Sequence, residues 1–224
     1  RFQREVRATA KLSHWNTIDV FDYGNTEDGT FYYVMEYLPG MSLAELVQRH
    51  GPMSAARVIH FLRQACDALA EAHHAGLTHR DIKPANIFAA HRGGMHDVTK
   101  LLDFGLVKSP SDDDAAVQLT VDGAITGSPL FMSPEQAMGE GEPDARSDLY
   151  SLGAVGYYLL TAKPPFEGEK PLKVMFAHAH EELAPPSTRG VEVPEDLERV
   201  ILRAMAKKPA DRFQTAFEMG AALA

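Results

Sequence analysis

The chain has 224 residues, 45% hydrophobic and 24% charged, which suits one large folded domain, or one domain and part of another, and excludes a collagen-like, coiled-coil or disordered polymer. With 22 Lys plus Arg against 31 Asp plus Glu, the net charge is −9, so neither a nucleic-acid backbone nor an anionic membrane is expected as the main partner. The single cysteine, Cys66, excludes an internal disulfide and a cysteine-based zinc site, fits a reducing compartment, and reads as core filler.

The opening Arg1-Phe2-Gln3-Arg4-Glu5 has no initiator Met and no apolar signal region, and reads as cut from a longer polypeptide. Phe2, Val6, Thr9 and Leu12 fall near one helical face, which predicts a short amphipathic helix whose only carboxylate is Glu5. Thr17 to Tyr23 and Thr30 to Tyr37 are rich in β-branched and aromatic residues and flank a turn-forming stretch at 24–29, the pattern of a β-hairpin.

After Pro39-Gly40 the periodicity becomes helical. Ser42 with Glu45 three residues on is a capping-box signature for a short helix. Ser54 is placed to cap a long helix in which Val58, Phe61, Leu62, Ala65, Leu69 and Ala72 recur at helical spacing, with Gly76 as its stop and His79 just beyond. Leu149 to Leu160 is apolar nearly all round, which predicts a central helix buried on every side. The stretch from Leu149 to Ala162 is too short to span a bilayer and is broken by Ser151, Gly153 and Gly156. Pro194 opens a helix with Leu197, Val200, Ile201, Ala204 and Met205 on one face, and a last helix is expected from about Gln214. His178 and His180 are spaced i, i+2 and do not share a helix face, so no metal site is expected there.

The strongest chemical signal is His79-Arg80-Asp81-Ile82-Lys83-Pro84-Ala85-Asn86, followed after one short hairpin's length by Asp103-Phe104-Gly105 behind the apolar Leu101-Leu102. In this order and spacing the two motifs specify magnesium-dependent phosphoryl transfer. Further along stand Ser133-Pro134-Glu135, Asp148-Leu149-Tyr150-Ser151-Leu152-Gly153 and a late arginine, Arg212. With these five motifs in family order, the sequence resembles the eukaryotic-like (Hanks-type) serine/threonine protein kinases of bacteria over essentially its whole length.

The resemblance implies an α+β, bilobal protein-kinase-like fold. A partial small β lobe, helix plus hairpin, would occupy residues 1–38, and a complete, mainly helical large lobe residues 39–224, together one incomplete kinase domain. It implies ATP with Mg2+, or Mn2+ in its place. Asp103 and Asn86 would hold the metal, Asp81 would orient the substrate hydroxyl, and Lys83 would meet the γ-phosphate and mark serine/threonine specificity. Met35, Glu36 and Leu38 resemble the hinge that holds adenine, with Phe88 also at the nucleotide, and Glu5 resembles the glutamate that orients a lysine on a strand upstream. Arg80 would receive a phosphate from the segment 103–135, with Thr120 and Thr126 as candidate acceptors and Asp122 as a partial phosphate substitute. Glu135 and Arg212 would form a buried ion pair, and Asp148 would take backbone bonds from the catalytic loop. His79 would pack beside Phe104, and Ser128 would keep a hydroxyl toward Asp81.

No Gly-rich phosphate loop or lysine strand precedes Glu5, so this stretch alone is expected to bind ATP poorly and the natural protein to start upstream. The implied partners are protein substrates bearing Ser or Thr, including other copies of the enzyme in trans, in a cytoplasmic setting that includes the cytoplasmic part of a membrane-anchored receptor kinase. The competing readings are a non-catalytic kinase-like scaffold (pseudokinase) and a small-molecule phosphotransferase of the same broad fold. Intact Asp81, Asn86 and Asp103 count against the first; Lys83-Pro84 and Ser133-Pro134-Glu135 count against the second.

Overall fold

The computed structural model describes residues 12–102, 129–139 and 141–224. The first expected helix therefore lies outside the described residues except for its end at Leu12, which is buried. The expected hairpin is formed by β1 (Val20–Asn25) and β2 (Phe31–Met35), antiparallel strands that, among the described residues, pair only with each other. Its turn closes through Gly29 at φ +85°, in the left-handed region open to glycine.

A second antiparallel sheet, in the order β3-β4-β5, is built from β3 (Gly40–Ser42), β4 (Ile87–Arg92) and β5 (Met95–Leu101). Gly40 is required where β3 meets β4, because a Cβ there would sit 2.2 Å from the Ala89 carbonyl oxygen. Ser42 ends β3 and caps α1 (Leu43–His50) through the expected reciprocal bonds. The Glu45 amide donates to Ser42 Oγ at 3.2 Å, and the Ser42 amide donates to Glu45 Oε2 at 2.9 Å.

The helical body forms around α2 (Ala55–His74) and α4 (Ala145–Thr161), which pack against each other. The apolar face anticipated for α2 is buried, Cys66 with it, and burial pushes the Cys66 thiol pKa well up. Ser54 occupies the cap position, but its hydroxyl makes no capping bond. Its carbonyl instead takes the first-turn amides of Arg57 and Val58, each at 3.0 Å, and burial of the face beginning at Val58 holds the helix start. Helix α4 is buried nearly all round, as its composition requires. It achieves close approach at two glycines: a Cβ on Gly153 would lie 2.8 Å from the Ala204 Cβ, and one on Gly156 would lie 2.9 Å from Leu62 Cδ1.

Four further α-helices are found among the described residues: α3 (Pro134–Met138), α5 (Pro171–His180), α6 (Glu195–Ala204) and α7 (Ala216–Ala222). The last starts two residues later than Gln214, because Thr215 takes the cap and accepts from the Glu218 amide at 3.0 Å. No helix among the described residues is long and apolar enough to cross a membrane.

The segment leading into β1 is stitched to the helical body. The Ser13 and His14 amides donate to the Glu71 carboxylate, and Asn16 Nδ2 donates to the Thr99 carbonyl at 2.8 Å. The Leu101 amide donates to the Asn16 carbonyl at 2.7 Å and the Ile18 amide to the Leu101 carbonyl at 3.0 Å, which fixes this segment against the end of β5.

Candidate active site

Helix α2 ends at His74, and Gly76 at φ +76° turns the chain toward His79, as its position anticipates. Two buried side chains, Asp148 and His79, then fix the loop that follows. Asp148, near the start of α4 and wholly buried, accepts from the His79 amide (2.8 Å), the Arg80 amide (2.8 Å) and His73 Nε2 (2.8 Å). A buried carboxylate needs such donors, and these set the height of the loop above the helix. His79 is itself buried, with Nε2 at 2.8 Å from the Leu102 carbonyl.

Arg80 is one of three non-glycine described residues at positive φ (+67°), a left-handed conformation that costs about 1–2 kcal/mol for a residue with a Cβ. The turn it makes delivers Asp81 to the surface. Asp81 Oδ2 accepts from Lys83 Nζ at 2.7 Å and from Asn86 Nδ2 at 2.9 Å, while its Oδ1 has no partner among the described residues. Asn86 closes a single 3-10 turn, Pro84–Asn86, and its Nδ2 also donates to the Asp81 carbonyl at 2.9 Å. Both amide hydrogens are thus spent on Asp81, which leaves Asn86 Oδ1 as the end facing any ligand. The Leu102 amide donates to the Asn86 carbonyl at 2.9 Å, so the loop is tied to the residue just before Asp103. The structure therefore gathers Asp81, Lys83 and Asn86 into one cluster. Glu5, Asp103, Thr120 and Thr126, with Phe104, Asp122 and Ser128, lie outside the described residues.

Met35 closes β2 and is exposed, while Leu38 and Phe88 are half-buried. Phe88 lies on β4 between Ser42 of β3 and Lys100 of β5. The Glu36 side chain is fully engaged: Oε1 accepts from Lys100 Nζ at 2.6 Å and from the Asp19 amide at 3.0 Å, and Oε2 accepts from Arg92. Lys100 is 1% exposed and also donates to the Thr17 carbonyl. Any part Glu36 takes in holding a ligand therefore falls to its main chain.

The segment after the loop is anchored from below. Arg212, wholly buried, meets Glu135 in a bidentate pair, Nη1 to Oε1 and Nη2 to Oε2, both at 2.8 Å. Its remaining donors go to the carbonyls of Ala206, Arg146 and Lys207, and its guanidinium lies over the Tyr150 ring. Burial alone would raise the Glu135 pKa, but Arg212 and the Ser147 hydroxyl outweigh it and hold the carboxyl down at about 2. His178 is fully buried beneath residues 129–131. Nε2 sits 3.1 Å from the Leu130 carbonyl, which can only accept, so Nε2 carries the proton and Nδ1 accepts from the Tyr150 hydroxyl at 2.9 Å. Burial lowers its pKa to about 4, with Lys207 adding to the effect, so the ring is neutral at physiological pH.

Three residues with a stake in this geometry escape the sequence reading. His73 and Lys100 carry no local sequence signal. Gln136 does carry one, since Ser133-Pro134-Glu135-Gln136 has the S-x-x-Q form of a capping box.

Residues 1–220 match the family described as protein kinase domain. Over 214 residues the chain is 42% identical to the serine/threonine-protein kinase pkn3 of Myxococcus xanthus, covering 95% of this chain and 39% of that protein. It is also 42% identical over 226 residues to the serine/threonine-protein kinase PknB of Mycobacterium tuberculosis, covering 100% of this chain and 35% of the relative. The chain thus spans well under half the length of these curated relatives. Among solved structures, the Mycobacterium tuberculosis PknI kinase domain superposes with a TM-score of 0.73 at 27% identity, covering 100% of this chain and 77% of that one.

Proposed function

The chain belongs to the protein kinase domain family, and on that premise we propose that it moves the γ-phosphoryl group of ATP onto serine and threonine hydroxyls of protein substrates. The observation that carries this reading is the Asp81–Lys83–Asn86 cluster: an exposed carboxylate with one oxygen pinned and the other open, beside a cation and a free amide oxygen. Such a transfer asks the protein for position and charge more than for covalent chemistry.

In this reading Asp81 Oδ1 accepts the hydrogen bond of the incoming hydroxyl and aims it in line with the phosphorus. Lys83 swings its ammonium between Asp81 and the γ-phosphate. Asn86 Oδ1 and Asp103 hold the metal, Mg2+ with Mn2+ as its substitute; an amide oxygen and a carboxylate are the hard donors such ions take. What a bound divalent ion supplies is positive charge on the phosphate oxygens. The main chain at Glu36 and Leu38, with Met35 and Phe88, receives the adenine, and Glu5 orients a lysine. Residues 1–38 then serve as part of a small lobe and 39–224 as large lobe, with the nucleotide between them.

Arg80 receives a phosphate carried by the segment 103–135, at Thr120 or Thr126. Among the described residues its Nε is buried without a hydrogen-bond partner, a costly state for a cationic donor that an incoming anion on the same guanidinium would offset. Self-phosphorylation in trans would supply that group. The proposed setting is cytoplasmic, either free or as the inner part of a membrane-anchored receptor.

The test is incubation of the full-length natural protein with γ-labelled ATP, Mg2+ and a mixed protein acceptor, followed by phosphoamino-acid analysis. The expected result is metal-dependent label on serine and threonine. Label confined to tyrosine or to a small-molecule acceptor, or no transfer at all with metal present, contradicts the proposal.

A further inference from the structure

The carboxamide of Gln136 is the only described side chain that reaches from the 133–138 turn into the catalytic loop's main chain. Its Oε1 accepts from the Ser133 amide (3.0 Å) and the Ser133 hydroxyl (3.1 Å), and its Nε2 donates to the Arg80 carbonyl at 2.9 Å. The orientation of the amide is forced. The Ser133 N–H can only donate and the Arg80 C=O can only accept, so a flipped amide would set donor against donor and acceptor against acceptor. Ser133 is wholly buried and Gln136 half-buried, so water does not substitute freely for either bond.

What makes the contact consequential is the residue it holds. Arg80 is kept in the left-handed region, and strain of that kind persists only when the surroundings over-determine it. Asp148 grips its N–H and Gln136 grips its C=O, so the two peptide groups flanking the strained Cα are pinned from different helices, α4 and α3. Release of the carbonyl leaves the Arg80–Asp81 peptide held only by the long bond from the Asp81 amide to His79 Nδ1 (3.3 Å), a weaker restraint that lets the peptide turn and re-aim the Asp81 carboxylate. The neighbouring Glu135, locked to Arg212, gives α3 a fixed footing from which Gln136 acts.

Resting on the phosphotransfer reading above, we propose that Gln136 is a positioning residue for catalysis: it couples the end of the 103–135 segment to Asp81 by clamping the Arg80 carbonyl. It touches no substrate and acts through the loop. Correct seating of residues 133–136 and correct aim of Asp81 thereby become one condition, so a disturbance of the segment is felt at the catalytic carboxylate.

Gln136→Glu tests this with little change of shape. Its carboxylate keeps the acceptor that Ser133 needs, and Glu is itself a regular partner in this cap, but an oxygen then faces the Arg80 carbonyl in place of a donor. Gln136→Leu removes both contacts at once. Two readouts are taken on the full-length protein: amide hydrogen exchange of residues 77–86, and kcat with KM for ATP. The expectation for Gln136→Glu is exchange at 80–82 faster by about tenfold and kcat lower by about tenfold, with KM for ATP within about twofold of wild type and exchange in α3 unchanged.

If Gln136→Glu leaves loop exchange at the wild-type rate, the inference is overturned, whatever the activity. Faster exchange with unchanged kcat overturns the catalytic part as well, because the loop would then be held without consequence. Faster exchange in a protein whose wild type transfers no phosphate keeps the clamp and refutes the kinase reading instead. Faster α3 exchange in Gln136→Glu, as large as that in Gln136→Leu, would assign Gln136 to the cap alone and overturn its role toward Arg80.

Discussion

Replacing Glu135 by Gln keeps the size of the side chain and removes its charge beneath the wholly buried Arg212. The guanidinium then retains the carbonyls of Ala206, Arg146 and Lys207 but loses the only carboxylate that pairs with it among the described residues. Two lines of reasoning give the size of the loss. Breaking a buried pair by neutralising one partner costs about 3–5 kcal/mol, because the other charge is left uncompensated. Independently, a carboxyl held at about 2 against an ordinary value of 4.5 is worth about 3 kcal/mol at neutral pH. The sign follows from the depressed native value: the contribution is complete above pH 4.5 and disappears as the pH falls toward 2. Urea titration of Glu135→Gln at pH 7 should therefore show a loss of about 3 kcal/mol, with melting lowered by about 6–12 °C in a chain of this size. At acid pH the mutant and wild-type curves should converge. A loss under 1 kcal/mol at pH 7, or a difference that persists unchanged to pH 2, would refute the reasoning.

Gly153→Ala should destabilise despite the better helix propensity of alanine. The new methyl would lie 2.8 Å from the Ala204 Cβ, which has no rotamer to move aside, and overpacking of about 1–3 kcal/mol exceeds a propensity gain of about 1 kcal/mol; a raised denaturation midpoint would contradict this. His178→Gln should flatten the acid-side loss of stability. With the native imidazole at about 4 and the unfolded one at 6.5, the unfolded state takes the proton first, so wild type loses up to about 3 kcal/mol between those values. An identical slope in the variant would assign that loss elsewhere. Cys66, buried with its thiol pKa pushed well up, should resist a thiol reagent in the folded state and react on unfolding; immediate native labelling would place it at the surface.

Local rules carried the sequence furthest. The Ser42–Glu45 box, the Gly76 stop, the hairpin turn at Gly29 and the all-round burial of α4 each follow from a residue type at a fixed offset, and each is present. Two helix starts differ from expectation in detail: the Ser54 hydroxyl makes no capping bond although it holds the cap position, and Thr215 rather than Gln214 sets the start of the last helix because its hydroxyl accepts from the Glu218 amide. Meeting points of distant segments were the least legible. The Glu135–Arg212 pair was accessible only through the family resemblance, since 77 residues separate the partners. Lys100, buried between Glu36 and the Thr17 carbonyl, follows no period: a lysine in a strand ordinarily reads as solvent-facing, and only the fold brings the carboxylate that makes its burial tolerable. The Gln136 contact lay in between, its capping half readable from S-x-x-Q and its Arg80 half not.

The central claim is that Asp81, held by Lys83 and Asn86, directs a hydroxyl at the γ-phosphate of ATP. The most direct measurement compares single-turnover phosphoryl transfer and ATP binding in the full-length wild type and in Asp81→Asn. The account predicts a rate lower by about 10²–10⁴-fold, with ATP affinity unchanged within about twofold. A variant that transfers phosphate to serine and threonine as fast as wild type would contradict it.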